Sequence, residues 1–389
     1  MGLIKKEKRK HISFFIFVGL LLWGVFSVAY IYRYRKMHIA SSNSYKNDIV
    51  ELQKKTEGLE GRVLDLEEIE STLLKDLEAL KTDIVSQSEY ITDGASQDYI
   101  FRVDLDDVSL NEAPLNIAKA GTFSRLLVAG HIYGSPHAED RNSIPAQTLI
   151  DALPLLGELQ PDLFISLGDM VYVPSEQAFK KLDEAFLSQI TFPLINAPGN
   201  HDLSEGRGLY ESHFGQTFFY AKYLTSQVVI LDTELANCYV VGRQKKMLRE
   251  AIEVALHDED IDYIFVFLHK LIFLDQSPSL RGETNGNCYF RTNYDDIREE
   301  ILLPAALEKP VYLVAGDVGA FGGNLSPFYA QDGENQFYTI AVGLGNAAED
   351  ALLQIDFYPE KPEFQLISLA EKEFLPLENY TPEYWSENE

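Results

Sequence analysis

The chain has 389 residues, 46% of them hydrophobic and 24% charged, with two cysteines and a formal net charge of -27. That is enough length and apolar content for a sizeable core. Two cysteines, Cys238 and Cys288, allow one disulfide but no disulfide framework and no cysteine-rich zinc site.

Residues 1–11 are basic and are expected to lie in the cytoplasm. Residues 12–32, ISFFIFVGLLLWGVFSVAYIY, contain no charge, and 21 residues of helix span a hydrocarbon core. This predicts a single-pass transmembrane helix. Basic residues flank it on both sides, more densely before it, which places the N-terminus inside and the bulk of the chain outside. A cleaved signal peptide ending near Ser27-Val28-Ala29 is the alternative. The apolar run is long for one, and Tyr30 and Tyr32 follow as interfacial anchors. Residues 1–40 hold eight basic residues and one acidic one; taking that local +7 from the net -27 leaves -34 on the rest. So acidic a remainder argues against nucleic acid or anionic headgroups as its partners. The expected location is a bacterial cell membrane, with the main domain facing the periplasm or the cell surface.

Residues 45–90 read as a stalk. Ile49, Leu52, Thr56, Leu59, Val63, Leu66, Glu70, Leu73, Leu77, Leu80 and Ile84 recur at alternating gaps of three and four. That is a coiled-coil seam, and it predicts a homo-oligomer. One amphipathic helix folded against the domain is the alternative.

Residues 99–370 alternate short apolar runs with amphipathic helical patterns. Strands are expected near Leu126, over Asp162–Leu167, ahead of Asn196, over Thr217–Tyr223, Gln227–Asp232, Ile261–Leu268 and Val311–Ala315, then Phe337–Gly343, Ala351–Tyr358 and Phe364–Leu369. Helices are expected over part of Ala146–Leu159, over Glu176–Ile190 with Ser175 as its cap, and over Gly208–Phe214, Gly242–Leu256 and Tyr294–Leu307. The fold class is α/β: two sheets face to face with helices outside, in four layers. Residues 371–389 are an acidic tail, either loose or wrapped on the domain.

Five apolar runs end in metal-ligand or acid/base residues. SRLLVAGH ends at His131, PDLFISLGD at Asp169, IDYIFVFLH at His269 and KPVYLVAGD at Asp317, while FPLINAPG delivers Asn200, His201 and Asp202. Sites in open α/β sheets gather beyond the carboxyl ends of strands. These side chains suit hard or borderline divalent ions.

The order Gly168-Asp169-x-x-Tyr172, Gly199-Asn200-His201-Asp202, His269 and Gly316-Asp317 resembles the calcineurin-like metallophosphoesterase superfamily, over about residues 120–320. The resemblance implies a four-layered α/β/β/α sandwich and a pair of divalent ions that activate a water toward a phosphoester. It implies Asp169 as the bridging ligand, with Asn200 and His269 on the second ion. His201 would face the leaving-group oxygen, its ring oriented by Asp202. The sequence departs from the pattern at Ala129, where a carboxylate is expected, and at Asp317 and Gly319, where histidines are expected. One ion would keep Asp169, Asn200, His269 and Asp317. The other would keep Asp169 and His131, with Tyr172 as a phenolate or His137, Glu139 and Asp140 as substitutes. One or two ions of Mn²⁺, Fe²⁺, Zn²⁺ or Mg²⁺ are expected. The function expected is hydrolysis of an envelope or polysaccharide-related phosphoester. A non-catalytic assembly module of the same fold is the alternative, and metal-assisted glycan deacylation a minor one.

Overall fold

The structure, a computed structural model, describes residues 23–28, 55 and 100–387, apart from 116–122, 135–144, 277–279, 281, 283, 286–287, 289–291 and 322–324. Residues 23–28 are helical. Among the described residues no helix is long and apolar enough to cross a membrane. Most of the expected span, residues 12–32, and all of the stalk, residues 45–90, except Lys55 lie outside them.

Two six-stranded sheets are formed among the described residues. The first joins β1 (Ser124–Ala129), β2 (Leu163–Ser166), β3 (Leu194–Asn196), β10 (Ala351–Phe357), β11 (Pro362–Ser368) and β12 (Phe374–Leu375), in the order β12-β11-β10-β1-β2-β3. The second joins β4 (Phe219–Tyr223), β5 (Ser226–Ile230), β6 (Tyr263–Leu268), β7 (Val311–Ala315), β8 (Phe328–Gln331) and β9 (Phe337–Ala341), in the order β4-β5-β6-β7-β9-β8. β1, β2 and β3 are parallel, as are β5, β6, β7 and β9. Each parallel set reads as a run buried on both faces, which is why these strands are nearly all apolar.

Side chains alternate across each sheet and so feed different cores. Leu126 and Val128 of β1 point between the sheets, with Phe265, Phe267 and Val314 from the facing sheet. Leu127 and Ala129 point outward, under the helices Gln147–Asp151, Leu153–Leu159 and Glu176–Ala185. The outer face of the second sheet is covered by Gly242–His257 and the helical segment from Tyr294 to Ala306. The result is four layers, helix on sheet on sheet on helix.

Several local expectations are met for the reasons given. Ser175 caps its helix, its hydroxyl accepting from the Ala178 amide at 3.1 Å. The segment 146–159 forms two short helices, broken at Ala152 with a proline at the start of the second. Strand β8 was not expected; it is four residues long and exists through pairing with β9. The acidic tail wraps the domain: β12 pairs with β11, and the Trp385 indole donates to the Pro327 carbonyl at 3.0 Å.

Cys238 and Cys288 form a disulfide, with Cα atoms 5.8 Å apart across 50 residues of sequence. It ties the long segment after β6 to the turn after β5. Replacing both (Cys238→Ser with Cys288→Ser) is expected to lower unfolding free energy by about 2–4 kcal/mol. A lower midpoint in urea, reproduced in the unmodified protein by reductant, is the measurement.

Candidate metal centre at the meeting of the two sheets

The site forms where strand ends of the two sheets touch through backbone. Gly130 follows β1 and bridges to Gly343 after β9, its amide donating to the Val342 carbonyl at 3.0 Å and its carbonyl accepting from the Leu344 amide at 3.0 Å. A Cβ on Gly130 would lie 2.3 Å from the Cα of Gly316, which follows β7. Only glycine permits that approach, and it brings His131 of one sheet against Asp317 of the other. Gly199 plays the same part for Asp169, since a Cβ there would stand 2.2 Å from Asp169 Oδ1. His131 and Asp169 themselves adopt left-handed backbone, with φ of 52° and 57°. Neither is glycine, so each costs about 1 kcal/mol or more, a strain that clusters at functional sites.

Three of the expected ligands face one another: His131, Asp169 and Asp317, all buried, offer one ligand atom each within 4.8 Å of the others. His131 Nε2 is 3.7 Å from Asp169 Oδ2. His269 Nε2 is 3.5 Å from Asp169 Oδ1 and 3.7 Å from Asp317 Oδ1.

The hydrogen bonds behind these atoms decide their character. His131 Nδ1 lies 3.0 Å from the Leu344 carbonyl, and His269 Nδ1 lies 2.7 Å from the Leu167 carbonyl. A carbonyl can only accept, so each Nδ1 carries the hydrogen, and in the neutral ring each Nε2 is a bare lone pair. Burial pushes both rings toward neutrality, His131 down to about 4 and His269 down to about 3. Asp169 Oδ2 is buried with no hydrogen-bond partner among the described residues. Burial, with Asp317 and Asp202 nearby, pushes its carboxyl well above the usual range. Lone pairs of His131, His269 and Asp169 thus converge in a buried place, a donor set that suits a divalent cation. Ligands at about 2.1 Å from one ion stand roughly 3.0–3.5 Å apart, close to the distances seen. The residues fit a divalent ion.

Asn200 stands in the same cluster, beside His269. Its Oδ1 accepts from Lys270 Nζ at 2.5 Å, with His269 Nε2 at 3.3 Å. The same ammonium is 2.5 Å from Asp317 Oδ2. Burial disfavours ionisation of Asp317, but the Lys270 ammonium outweighs it and holds its carboxyl down to about 2. Burial also works against the Lys270 charge, and Asp317, Glu234 and Asp169 outweigh it and keep the amine protonated. Sequence reasoning missed Lys270, although it follows His269 directly.

The expected role of Asp202 needs correction. It does not orient the His201 ring. Its carboxylate accepts the main-chain N–H groups of Asp169 at 2.9 Å, Met170 at 2.8 Å, Gly199 at 3.0 Å and Val171 at 3.4 Å. It thereby clamps the loop after β2 to the loop after β3. The ring of His201 is set by Tyr172: Nδ1 lies 2.7 Å from the Tyr172 carbonyl, and the two rings stack at 4.7 Å. Tyr133, also missed, stands edge-on to both His201 and Tyr172 and 4.3 Å from the His131 ring. Tyr172 was expected as a phenolate ligand; what the structure shows is its packing on His201. His201 donates its main-chain N–H to Asp169 Oδ1 at 2.9 Å, and burial pushes its ring pKa down. The substitutes His137, Glu139 and Asp140 lie outside the described residues.

No family model and no curated protein matches the chain. Solved structures similar to it include a dimetal phosphatase from Danio rerio, 13% identical, covering 66% of this chain and 98% of its own, with a TM-score of 0.43. A predicted phosphoesterase from Streptococcus pneumoniae is 11% identical over 66% of this chain and 95% of its own, with a TM-score of 0.31. A 5'-nucleotidase from Candida albicans is 12% identical over 68% of this chain and 56% of its own, with a TM-score of 0.35.

The clamp predicts an effect on stability. Asp202→Ala leaves at least three buried amides without an acceptor and is expected to cost about 3 kcal/mol or more, read from the denaturant midpoint.

Proposed function

We propose that the protein is a metal-dependent phosphoester hydrolase of the calcineurin-like kind, anchored in a membrane by residues 12–32 and raised from it on an oligomeric coiled coil over residues 45–90. The observation that carries the reaction is the buried acceptor cluster of His131, Asp169, His269 and Asp317, beside a histidine whose ring is held in one orientation. The disulfide supports an oxidising compartment outside the cytoplasm. The substrate is an envelope or polysaccharide-related phosphoester.

His131, Asp169 and Asp317, with His269 beside them, would hold the divalent ion. When bound, the ion supplies Lewis-acid polarisation of a phosphoryl oxygen and a water acidic enough to attack at neutral pH. The chain's own residues do the rest. Water oxygen bonds to phosphorus as the ester P–O bond breaks, and the proton lost by the water passes to solvent. His201 has Nδ1–H committed to the Tyr172 carbonyl, so Nε2 is the nitrogen left for the leaving oxygen. In its protonated form it gives that oxygen a proton. Asp202 acts through the backbone, keeping Asp169 and His201 in register. Lys270 and Tyr133 line the same site.

The test is hydrolysis of an alkyl phosphoester and of bis(p-nitrophenyl) phosphate by the full-length protein supplied with Mn²⁺. Asp169→Asn is expected to abolish both activities. His201→Ala is expected to reduce alkyl-ester turnover about 10²-fold or more and aryl-ester turnover much less, since a nitrophenolate leaves without a proton. Equal rates for all three proteins would overturn the hydrolase reading and leave the assembly module.

A further inference from the structure

We propose that Tyr133 is a further catalytic residue, its hydroxyl donating a hydrogen bond to a non-bridging oxygen of the phosphoryl group. This rests on the hydrolase reading above and holds for one ion or two.

The ring stands between the two ends of the site. It lies 4.3 Å from the ring of His131, a ligand, and 5.0 Å, edge-on, from the ring of His201, which faces the leaving oxygen. A phosphoryl group held by an ion at His131 and Asp169, with its leaving oxygen toward His201, passes beside Tyr133. The residue is also fixed in place. Its main-chain N–H donates to the Asp169 carbonyl at 2.8 Å, and the next amide, of Gly134, donates to the His131 carbonyl at 2.9 Å. The Tyr172 ring stands edge-on to it at 5.2 Å.

The hydroxyl has nothing to bond. Tyr133 is only 3% exposed, yet no group among the described residues pairs with its O–H. A buried tyrosine ordinarily finds a hydrogen-bond partner. Asp169 Oδ2 is itself unpartnered, so the O–H is not committed there. Of the charges around the phenol, those of Asp169 and Asp317 act on it most strongly, which puts its oxygen on the ligand side of the ring.

A phenol is an O–H donor at neutral pH. In phosphoryl transfer the negative charge is spread over the non-bridging oxygens, and a donor already in place stabilises it without reorganisation. Tyr133→Phe keeps the ring among its aromatic neighbours and removes this donor alone.

The experiment compares Tyr133→Phe with the unmodified full-length protein, both supplied with Mn²⁺. It reads kcat/KM on the alkyl phosphoester and on bis(p-nitrophenyl) phosphate, affinity for inorganic phosphate by calorimetry, and the denaturant midpoint. The inference predicts kcat/KM lower by about tenfold or more on both esters and phosphate bound more weakly by a similar factor. The midpoint is expected to stay where it was. Unchanged kcat/KM and phosphate affinity in a folded Tyr133→Phe protein would overturn the inference and leave the hydrolase reading standing. So would a loss on the alkyl ester that spares the aryl one. That is the pattern expected of His201→Ala, and it would make Tyr133 a positioning residue for that ring. An unmodified protein that hydrolyses neither ester would overturn both.

Discussion

Everything at this site depends on a contact between two backbones. The end of β1 and the end of β7 meet at Gly130 and Gly316, where a single methyl group would collide with the opposite chain. The parallel bridge from Gly130 to Gly343 continues the same seam. Sheet packing alone keeps sheets about 10 Å apart. A site built from both sheets therefore needs a place where side chains are omitted, and the glycines provide it. His131 and Asp317 then face each other because their predecessors have no side chain.

The consequence is electrostatic. The carbonyls of Leu344 and Leu167 fix the tautomers of His131 and His269, so bare nitrogens face carboxylates across 3.5–3.7 Å. Lys270 and the surrounding backbone hold the arrangement in place. The surroundings are stiff: the Asp202 clamp ties down four main-chain amides, and left-handed backbone at His131 and Asp169 is maintained by the packing around them. Such pre-set acceptors lose little entropy when an ion arrives. The cluster is a donor set suited to a cation, with the Lys270 ammonium on one flank.

Much of this was legible in the sequence, and the limits have physical causes. β1, β2, β6 and β7 are apolar runs without alternation because both faces are buried, and their polar ends mark the site directly. β8 escaped because a four-residue edge strand owes its existence to a partner elsewhere in the chain. The His201–Asp202 dipeptide suggested a ring with its orienting carboxylate, yet neighbours in a turn need not face each other, and Asp202 turns to the backbone instead. Lys270 escaped for a different reason. A lysine after a strand ordinarily reaches water, and only Asn200 and Asp317, 70 and 47 residues away, turn it inward. Tyr133 sits in a loop whose sequence carries no sign that its ring will stand between two histidines.

The central claim is that the acceptor cluster is a cation site, and locating the ion tests it most directly. Anomalous diffraction from crystals grown with Mn²⁺ would do so. The expected result is a peak within bonding distance of His131 Nε2 and of carboxylate oxygens of Asp169 and Asp317. A map with no peak there, in crystals that take up Mn²⁺ elsewhere, would contradict it.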